Sequence, residues 1–383
     1  MFRLTRYVSE ILRPTPVRRH KPPGPVVIWN LTRRCNLTCK HCYAFSADHP
    51  YRGELSTNDV FDVLDDLHAF GVPALVLSGG EPLLRADMLE IAAHAKSLGL
   101  HLALSTNGTL IDDALAERLA VTGFDYVGIS IDGRPSTHDR FRRCAGAFDA
   151  SLRAMRLCRD AGIRVGIRFT LTQDSAADLP YVLATLERER IDRFYLSHLN
   201  YAGRGSQHRG RDAIVETTRT AMDRLFEHAL VHARRGSALE LVTGNNDADG
   251  VYFLQWALRR FPESGAHLRA HLAAWGGNSS GVNIANIDNL GDVHPDTYWW
   301  DHSLGNVRER PFSRIWRDES DPLLAGLRAT PRRISGRCGA CAYFDVCAGN
   351  TRTRARRLTG DPWAEDPGCY LSDEELGVVA LER

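Results

Sequence analysis

The sequence predicts an α/β protein, an incomplete (βα)6 TIM-like barrel followed by a smaller, cysteine-rich C-terminal domain. Three observations predict this fold. Short apolar segments alternate with helix-like segments along residues 26–199, polar turns follow the apolar segments, and the alternation stops near residue 202, ahead of a polar tail that holds four of the nine cysteines. Such alternation indicates parallel strands joined by crossover helices, and six units fit an open barrel better than a closed eightfold one.

Six segments have the length and apolar character of buried strands: residues 26–31, 74–77, 100–104, 126–131, 163–171 and 193–199. A helix is predicted after Ser56, a capping residue, because Val60, Leu64 and Leu67 recur at helical spacing. The other crossover helices are predicted near residues 88–98, 112–121, 148–161 and 177–189. Because barrels of this kind carry their chemistry at the carboxyl ends of the strands, the site is expected in the loops that follow them.

The rest of the chain divides around this barrel. Further helices are predicted over residues 214–234 and 251–261. The predicted segments are a basic, proline-rich surface arm at 1–24, the partial barrel at 25–235, bridging helices at 236–275 and the cysteine-rich domain at 276–383.

Composition excludes several classes of protein. Of 383 residues, 43% are hydrophobic and 25% charged, which excludes disorder, collagen and a coiled coil. The net charge of +1 gives no reason to expect a nucleic-acid partner, and no apolar run is long enough for a membrane span. Without a secretory signal, the cytoplasm is expected. Nearly all basic residues are arginine, which suits carboxylate binding but also follows from GC-rich coding.

The first cysteine motif follows the first predicted strand directly. Cys35, Cys39 and Cys42 have the spacing C-x3-C-x2-C. An odd number of cysteines without a secretory signal argues against a disulfide framework. Three thiolates on one loop can hold three irons of a [4Fe–4S] cluster and leave the fourth iron open. Zinc, with His41 as a fourth ligand, and simple buried cysteines are the alternatives.

Polar motifs also end the next three strands. They are Ser78-Gly79-Gly80-Glu81-Pro82, Ser105-Thr106-Asn107-Gly108 and Ser130-Ile131-Asp132-Gly133. The paired glycines let the backbone approach a ligand closely, and Glu81 could accept a hydrogen bond from an ammonium group. Each motif taken alone is typical of an ordinary turn.

Together, in this order, the motifs resemble the radical S-adenosylmethionine (SAM) superfamily over roughly residues 25–200. The resemblance implies that an open iron on the Cys35 loop binds SAM, which is cleaved to a 5′-deoxyadenosyl radical. The family often has an aromatic residue before the third cysteine, where this chain has His41. The implied cofactor contacts are Gly79, Gly80, Glu81, Asn107, Ser130, Arg142 and Leu199. For Arg142, an ion pair within the protein is the alternative role.

The second cysteine set is Cys338-x2-Cys341-x5-Cys347-x21-Cys369. Its residues alone leave zinc and iron–sulfur both open. The pattern resembles the SPASM and twitch auxiliary-cluster domains of radical SAM enzymes. Positions of the inner-cluster cysteines of those domains hold Thr351, Asp296 and residues 277–279 here. The resemblance therefore implies one auxiliary [4Fe–4S] cluster with four cysteine ligands, for electron transfer or substrate positioning.

Residues 242–250 and 275–299 resemble the NirJ family of radical SAM enzymes. That resemblance implies a role in haem d1 biosynthesis, with didecarboxysirohaem as the tetrapyrrole substrate. Its propionate side chains would be removed or oxidatively rearranged, and reduced flavodoxin or ferredoxin would supply electrons. No residue is identified as a catalytic acid or base. The alternatives are a radical SAM peptide maturase, a haem-pathway decarboxylase and a zinc-binding interaction protein.

The residue types fit such a substrate. Arginine forks grip carboxylates, and aromatic rings stack on flat macrocycles. Candidate stacking residues, with core packing as the alternative, are Trp275, Tyr298, Trp299 and Trp300. His198, at the sixth strand end, and His294 are candidates for meeting the substrate, with a structural role as the alternative.

Overall fold

The computed structural model describes residues 1–17 and 23–378. Its strands form one ten-stranded sheet in the order β10-β9-β8-β1-β2-β3-β4-β5-β6-β7. Strands β1 to β7 are parallel, β8 pairs in parallel with β1, and β9 and β10 are antiparallel. The strands are β1 (Val26–Asn30), β2 (Leu75–Ser78), β3 (Leu102–Thr106), β4 (Tyr126–Ser130), β5 (Val165–Leu171), β6 (Arg193–His198), β7 (Glu240–Gly244), β8 (Ile284–Ile287), β9 (Asp292–His294) and β10 (Gly305–Asn306).

Helices cover the outside of the parallel strands. The first crossover helix begins as predicted, because Ser56 and Asp59 form a capping box, and it ends at Gly71 in the left-handed conformation. The helices are α1 (Leu4–Leu12), α2 (Thr57–Phe70), α3 (Met88–Ser97), α4 (Asp113–Thr122), α5 (Pro135–Arg142), α6 (Ala147–Asp160), α7 (Leu179–Arg188), α8 (Gly203–Gln207), α9 (Val215–Arg234), α10 (Ala248–Arg260), α11 (Gly265–Trp275), α12 (Phe312–Arg317), α13 (Pro322–Arg328), α14 (Gly336–Gly339), α15 (Phe344–Cys347) and α16 (Arg352–Thr359).

The predicted parallel α/β architecture is confirmed, and the sheet extends beyond the six predicted strands. β7 adds a seventh parallel strand next to β6, and β8 pairs with the edge of β1 that faces away from β2. Both strands are short and pair with partners far away in the chain, so local alternation does not reveal them. The sheet runs across the predicted boundaries at 235/236 and 275/276, and the division into domains stays a prediction.

The prediction of a surface arm is wrong for the first twelve residues. Residues 4–12 form α1, which packs on α9 and β7 through buried apolar residues. Phe2 also exchanges two backbone hydrogen bonds with Thr243 of β7, at 2.8 and 2.9 Å. The apolar side chains recur at helical spacing, and Arg6, the one arginine within the helix, is exposed. Residues 18–22 of the predicted arm lie outside the described residues.

The inner faces of the strands surround a lumen, and their outer faces pack on the helices. On β5 the alternation is plain, since Ile167 and Phe169 are buried while Arg168 and Thr170 are partly exposed. Within the described parts of the chain, no helix combines the length and apolarity that a membrane crossing requires.

Candidate active site

The loop after β1 brings three cysteines together. Cys35 and Cys39 are buried, Cys42 is partly exposed, and all three are free thiols. Each sulfur faces an N–H donor, and such contacts stabilise the thiolate form that binds iron. The donors are Leu37 N to Cys35 Sγ (3.4 Å), Ser46 N to Cys42 Sγ (3.4 Å) and Arg142 Nη1 to Cys39 Sγ (3.7 Å).

The spacing of the thiols distinguishes a cluster from a single ion. Tetrahedral zinc, with Zn–S bonds of about 2.3 Å, needs donor atoms within about 4 Å of one another. Among the described residues, no three donor atoms of either cysteine set lie within 4.8 Å of one another. His41, the predicted fourth zinc ligand, stacks on Phe141 with ring centroids 4.4 Å apart. The three thiols are therefore not arranged to hold a single zinc ion in this structure.

Gly79 and Gly80 hold the cysteine loop against the end of β2. Gly80 N donates to Thr32 O at 2.7 Å, and the next amide donates to Arg34 O at 2.8 Å. A Cβ at Gly79 would overlap the Thr32 carbonyl oxygen, and one at Gly80 would overlap that of Arg34. The close approach that requires these glycines is thus made by the loop backbone, although both glycines also line the cavity beside it.

Glu81 is fully buried and already engaged within the protein. Its carboxylate accepts from Thr106 Oγ1 and Asn107 N at 2.8 Å and from Leu83 N at 3.2 Å. Burial raises the pKa of Glu81 to about 7, although these hydrogen bonds favour the charged form. Glu81 thereby ties the end of β3 to the glycine motif. Its predicted contact with the amino group of SAM stays a prediction.

Arg142 forms the ion pair considered from the sequence, while its contact with the cofactor stays a prediction. Its Nε donates to Asp132 Oδ2 at 2.7 Å, and its Nη1 faces Cys39. Asp132 is fully buried and also accepts from Thr170 N at 2.9 Å. This ion pair raises the pKa of the Arg142 guanidinium and lowers that of the Asp132 carboxyl, although burial opposes both shifts. The pair fixes a cation beside the cysteine loop, where the side chain also lines the cavity.

A cavity of about 150 Å³ opens beside the three cysteines. It collects the predicted cofactor residues from the ends of β2, β3, β4 and β6, together with Arg142, whereas Glu81 lies outside its lining. His41 also faces it, and burial lowers the pKa of His41 to about 3, so the imidazole is neutral. The predicted residues in the lining of this cysteine cavity are Cys35, Cys39, Cys42, Gly79, Gly80, Asn107, Ser130, Arg142 and Leu199.

A larger cavity of about 470 Å³ fills the barrel lumen. It adjoins the cysteine cavity and extends to the amino-terminal end of the barrel, where Arg3, Arg193 and Glu240 line it. Arg3 and Arg193 both contact Glu240, so two arginines share one carboxylate here, and Asp247 and Asp296 are the other acids in the lining. The residues shared by the lumen cavity and the cysteine cavity are Tyr43, Ser78, Ser105, Arg168, Tyr195 and Tyr298.

Of the four aromatic candidates, Tyr298 lines both cavities. Trp299 is buried against Leu323 and Leu327, and Trp275 packs on Phe2 with ring centroids 5.4 Å apart. Core packing therefore accounts for Trp275 and Trp299. Trp300 stacks near His294, away from both linings.

The two candidate histidines differ in their surroundings. His294 is buried, and its Nδ1 contacts the His302 carbonyl oxygen at 2.8 Å, which is a structural contact. His198 lines the cysteine cavity, and its Nε2 lies 3.0 Å from Asp249. Asp249, which sequence reasoning did not single out, also accepts from Tyr370 Oη at 2.9 Å.

The second cysteine set also converges. Burial, Asp247 and the other three thiols of the set raise the pKa of Cys347 well above its ordinary value. Tyr343 N donates to Cys341 Sγ at 3.3 Å. The segment that leads from α11 packs against this site, because a Cβ at Gly277 would overlap the Cys347 carbonyl oxygen. The next residue, Asn278, lines the lumen cavity.

Comparison with known proteins agrees with this geometry. Residues 29–180 match the family model described as "Radical SAM superfamily". The chain is 56% identical to "Pre-heme d1 synthase" of Dinoroseobacter shibae over 99% of this chain and 94% of that protein. It is 45% identical to "Fe-coproporphyrin III synthase" of Methanosarcina barkeri over 93% and 90%. Among solved structures, Streptococcus suis SuiB bound to S-adenosylmethionine has a TM-score of 0.72 at 18% identity, covering 92% of this chain and 79% of SuiB, which shows the fold.

Proposed function

The chain belongs to the radical SAM superfamily, and on this premise we propose that it is an enzyme of haem d1 biosynthesis that acts on didecarboxysirohaem. It removes or oxidatively rearranges propionate side chains of this tetrapyrrole. The observation that carries the proposal is the large lumen cavity that adjoins the cysteine cavity. The likeness to a pre-haem d1 synthase along 99% of the chain supports the choice of substrate.

In this proposal the cysteine loop binds the cluster, and the strand ends bind SAM. When bound, a [4Fe–4S] cluster and SAM supply the 5′-deoxyadenosyl radical that abstracts a hydrogen atom from the substrate. Cys35, Cys39 and Cys42 hold the cluster, and one N–H donor faces each of their sulfurs. Gly79, Gly80, Asn107, Ser130, Arg142 and Leu199 surround SAM. Asp132 keeps Arg142 in place, because the two are paired away from bulk water.

The lumen suits a flat ligand that bears carboxylates. Tyr195 and Tyr298 offer aromatic surface, and the excess of arginine over acid at Arg3, Arg193 and Glu240 favours anions. A reaction at a side chain of the ligand requires that side chain to reach the cysteine cavity. The residues shared by the two cavities form the passage for it.

The second cysteine set holds an auxiliary [4Fe–4S] cluster in this proposal. Cys338, Cys341, Cys347 and Cys369 provide four ligands, and full cysteine ligation suits electron transfer. The position supports this role, because Asn278 contacts Cys347 through its backbone and lines the lumen. Reduced flavodoxin or ferredoxin is the proposed electron donor, in the reducing cytoplasm where free thiols persist.

Anaerobic reconstitution tests the proposal. We expect about eight irons per chain, and 5′-deoxyadenosine that forms faster with didecarboxysirohaem than without it, under SAM and dithionite. A change in tetrapyrrole mass identifies the product. A measured content of about four irons plus zinc per chain would contradict the proposed auxiliary cluster. Eight irons without tetrapyrrole-dependent turnover would contradict the substrate and redirect the search to peptides.

A further inference from the structure

One arginine of the lumen stands between the two cavities. Arg168 lies on β5, level with Ser130 on β4 and Tyr195 on β6. Its neighbours Ile167 and Phe169 are buried on the outer face, so Arg168 points to the inner one. It lines both the cysteine cavity and the lumen cavity, and therefore lies where they meet.

The other arginines that line these cavities are paired with acids. Arg3 and Arg193 contact Glu240 at 2.6 and 2.8 Å, and Arg142 is paired as described above. Arg168 forms no ion pair with any residue that the structure describes. Arg168 therefore offers these cavities a guanidinium that has no acidic partner, and an anionic ligand can pair with it.

Phenol groups complete the surroundings of Arg168. Its Cζ lies 5.2 Å from the ring centroid of Tyr195. Tyr126 also lies beside this arginine, because a Cβ at Gly128 would meet both Arg168 Cδ at 3.0 Å and the Tyr126 ring at 3.2 Å. Phenol groups can donate O–H hydrogen bonds. A guanidinium fork next to phenol donors suits a carboxylate, which accepts up to four hydrogen bonds.

We propose that Arg168 binds a carboxylate side chain of the tetrapyrrole, an inference that rests on the proposed function. The carboxylate of SAM is the other possible source of this chemistry. The substrate is favoured because Arg168 also faces the lumen, whereas Arg142 already supplies a cation beside the cysteine loop. Holding one carboxylate at this point restricts which of the other side chains can reach the cysteine cavity.

The test uses the holoprotein with its clusters and compares Arg168→Gln, Arg168→Lys and Arg164→Gln. Arg164 is an exposed residue just ahead of the same strand and serves as the control. The dissociation constant of didecarboxysirohaem is measured by absorbance titration with SAM present, and that of SAM is measured without tetrapyrrole. Loss of a bidentate charged contact should weaken tetrapyrrole binding about 10- to 100-fold in R168Q, less in R168K and not in R164Q.

SAM affinity and iron content should stay within about twofold of wild type in R168Q. Tetrapyrrole whose carboxylates are methylated should bind wild type and R168Q alike. Weaker SAM binding with unchanged tetrapyrrole binding would assign Arg168 to the cofactor and overturn the inference. Unchanged affinity for both ligands would leave Arg168 a packing residue. If wild type itself binds no tetrapyrrole, the proposed function fails and this inference fails with it, a result that differs from failure at Arg168 alone.

Discussion

His198 Nε2 lies 3.0 Å from Asp249 Oδ2, and both side chains are almost entirely buried. The contact fixes the imidazole at the carboxyl end of β6, next to the cysteine cavity. Asp249 also accepts from Tyr370, the residue that follows Cys369. One carboxylate thus joins the wall of the cysteine cavity to the segment that carries the second cysteine set.

Replacing Asp249 by Asn should disturb the reaction more than the fold. The amide can keep the Tyr370 contact, but it no longer selects the tautomer that donates from His198 Nε2. We expect tetrapyrrole turnover to fall about 10-fold or more, the usual range for groups that orient a histidine in this way. Iron content and SAM-dependent spectra should not change. Asp223→Asn makes the same exchange at another carboxylate, which accepts from Tyr252 Oη at 3.0 Å; it is the control and should leave turnover intact.

Gly80→Ala should remove the first cluster. An added methyl group overlaps the Arg34 carbonyl oxygen, so the cysteine loop must move away from the end of β2. Iron should fall from about eight to about four per chain, with loss of SAM cleavage. Gly210→Ala is the matched control, because a Cβ there meets nothing within 4 Å. Full iron content in Gly80→Ala would show that the loop does not depend on this close approach.

Mild acid should destabilise the protein through buried histidines. Burial lowers the pKa of His138 to about 4 and that of His41 to about 3, from an ordinary 6.5. The unfolded chain therefore binds more protons below pH 6.5, and the free energy of unfolding falls as the pH drops from 6.5 toward these folded-state values. Each histidine should cost about 1 kcal/mol at pH 5.5.

Anaerobic thermal unfolding at pH 7.5 and 5.5 measures this effect. His138→Gln should lose less stability between the two pH values than wild type does, since the glutamine oxygen can still accept from Asp132 N as His138 Nδ1 does now. An equal loss in both proteins would contradict the assignment.

Cys347→Ser should remove the auxiliary cluster and leave the SAM-binding cluster in place. We expect about four irons to be lost, because Cys347 is one of the four proposed ligands of the auxiliary cluster. SAM cleavage without substrate should persist, whereas tetrapyrrole turnover should stop. Cys158→Ala, in the core of α6, is the control and should keep its iron. Retention of all iron in Cys347→Ser would exclude the proposed ligand set.

Local patterns were enough to predict the elements that carry the cofactor residues. The capping residue Ser56 and the turn residues Gly79 and Gly80 act on their immediate neighbours, so their signals are visible without tertiary structure. The helix α1 also has its apolar spacing in the sequence, but the basic, proline-rich composition of residues 1–24 favoured a surface arm.

The lumen could not be derived in this way. Arg168 lies in an apolar strand, and only closure of the sheet decides which side chains face inward. The pairing of His198 with Asp249 joins residues 51 positions apart, and Tyr370 is 121 positions from Asp249. Such contacts depend on how the elements pack, and one sequence carries no local sign of them.

The central claim is that a propionate side chain of a tetrapyrrole in the lumen gives up a hydrogen atom to the SAM-derived radical. Didecarboxysirohaem deuterated on its propionate carbons, incubated with the reconstituted enzyme, SAM and dithionite, tests it directly by mass spectrometry. The account predicts deuterium in 5′-deoxyadenosine, together with a tetrapyrrole product of changed mass. 5′-Deoxyadenosine that carries no deuterium, in amounts unaffected by the tetrapyrrole, would contradict it.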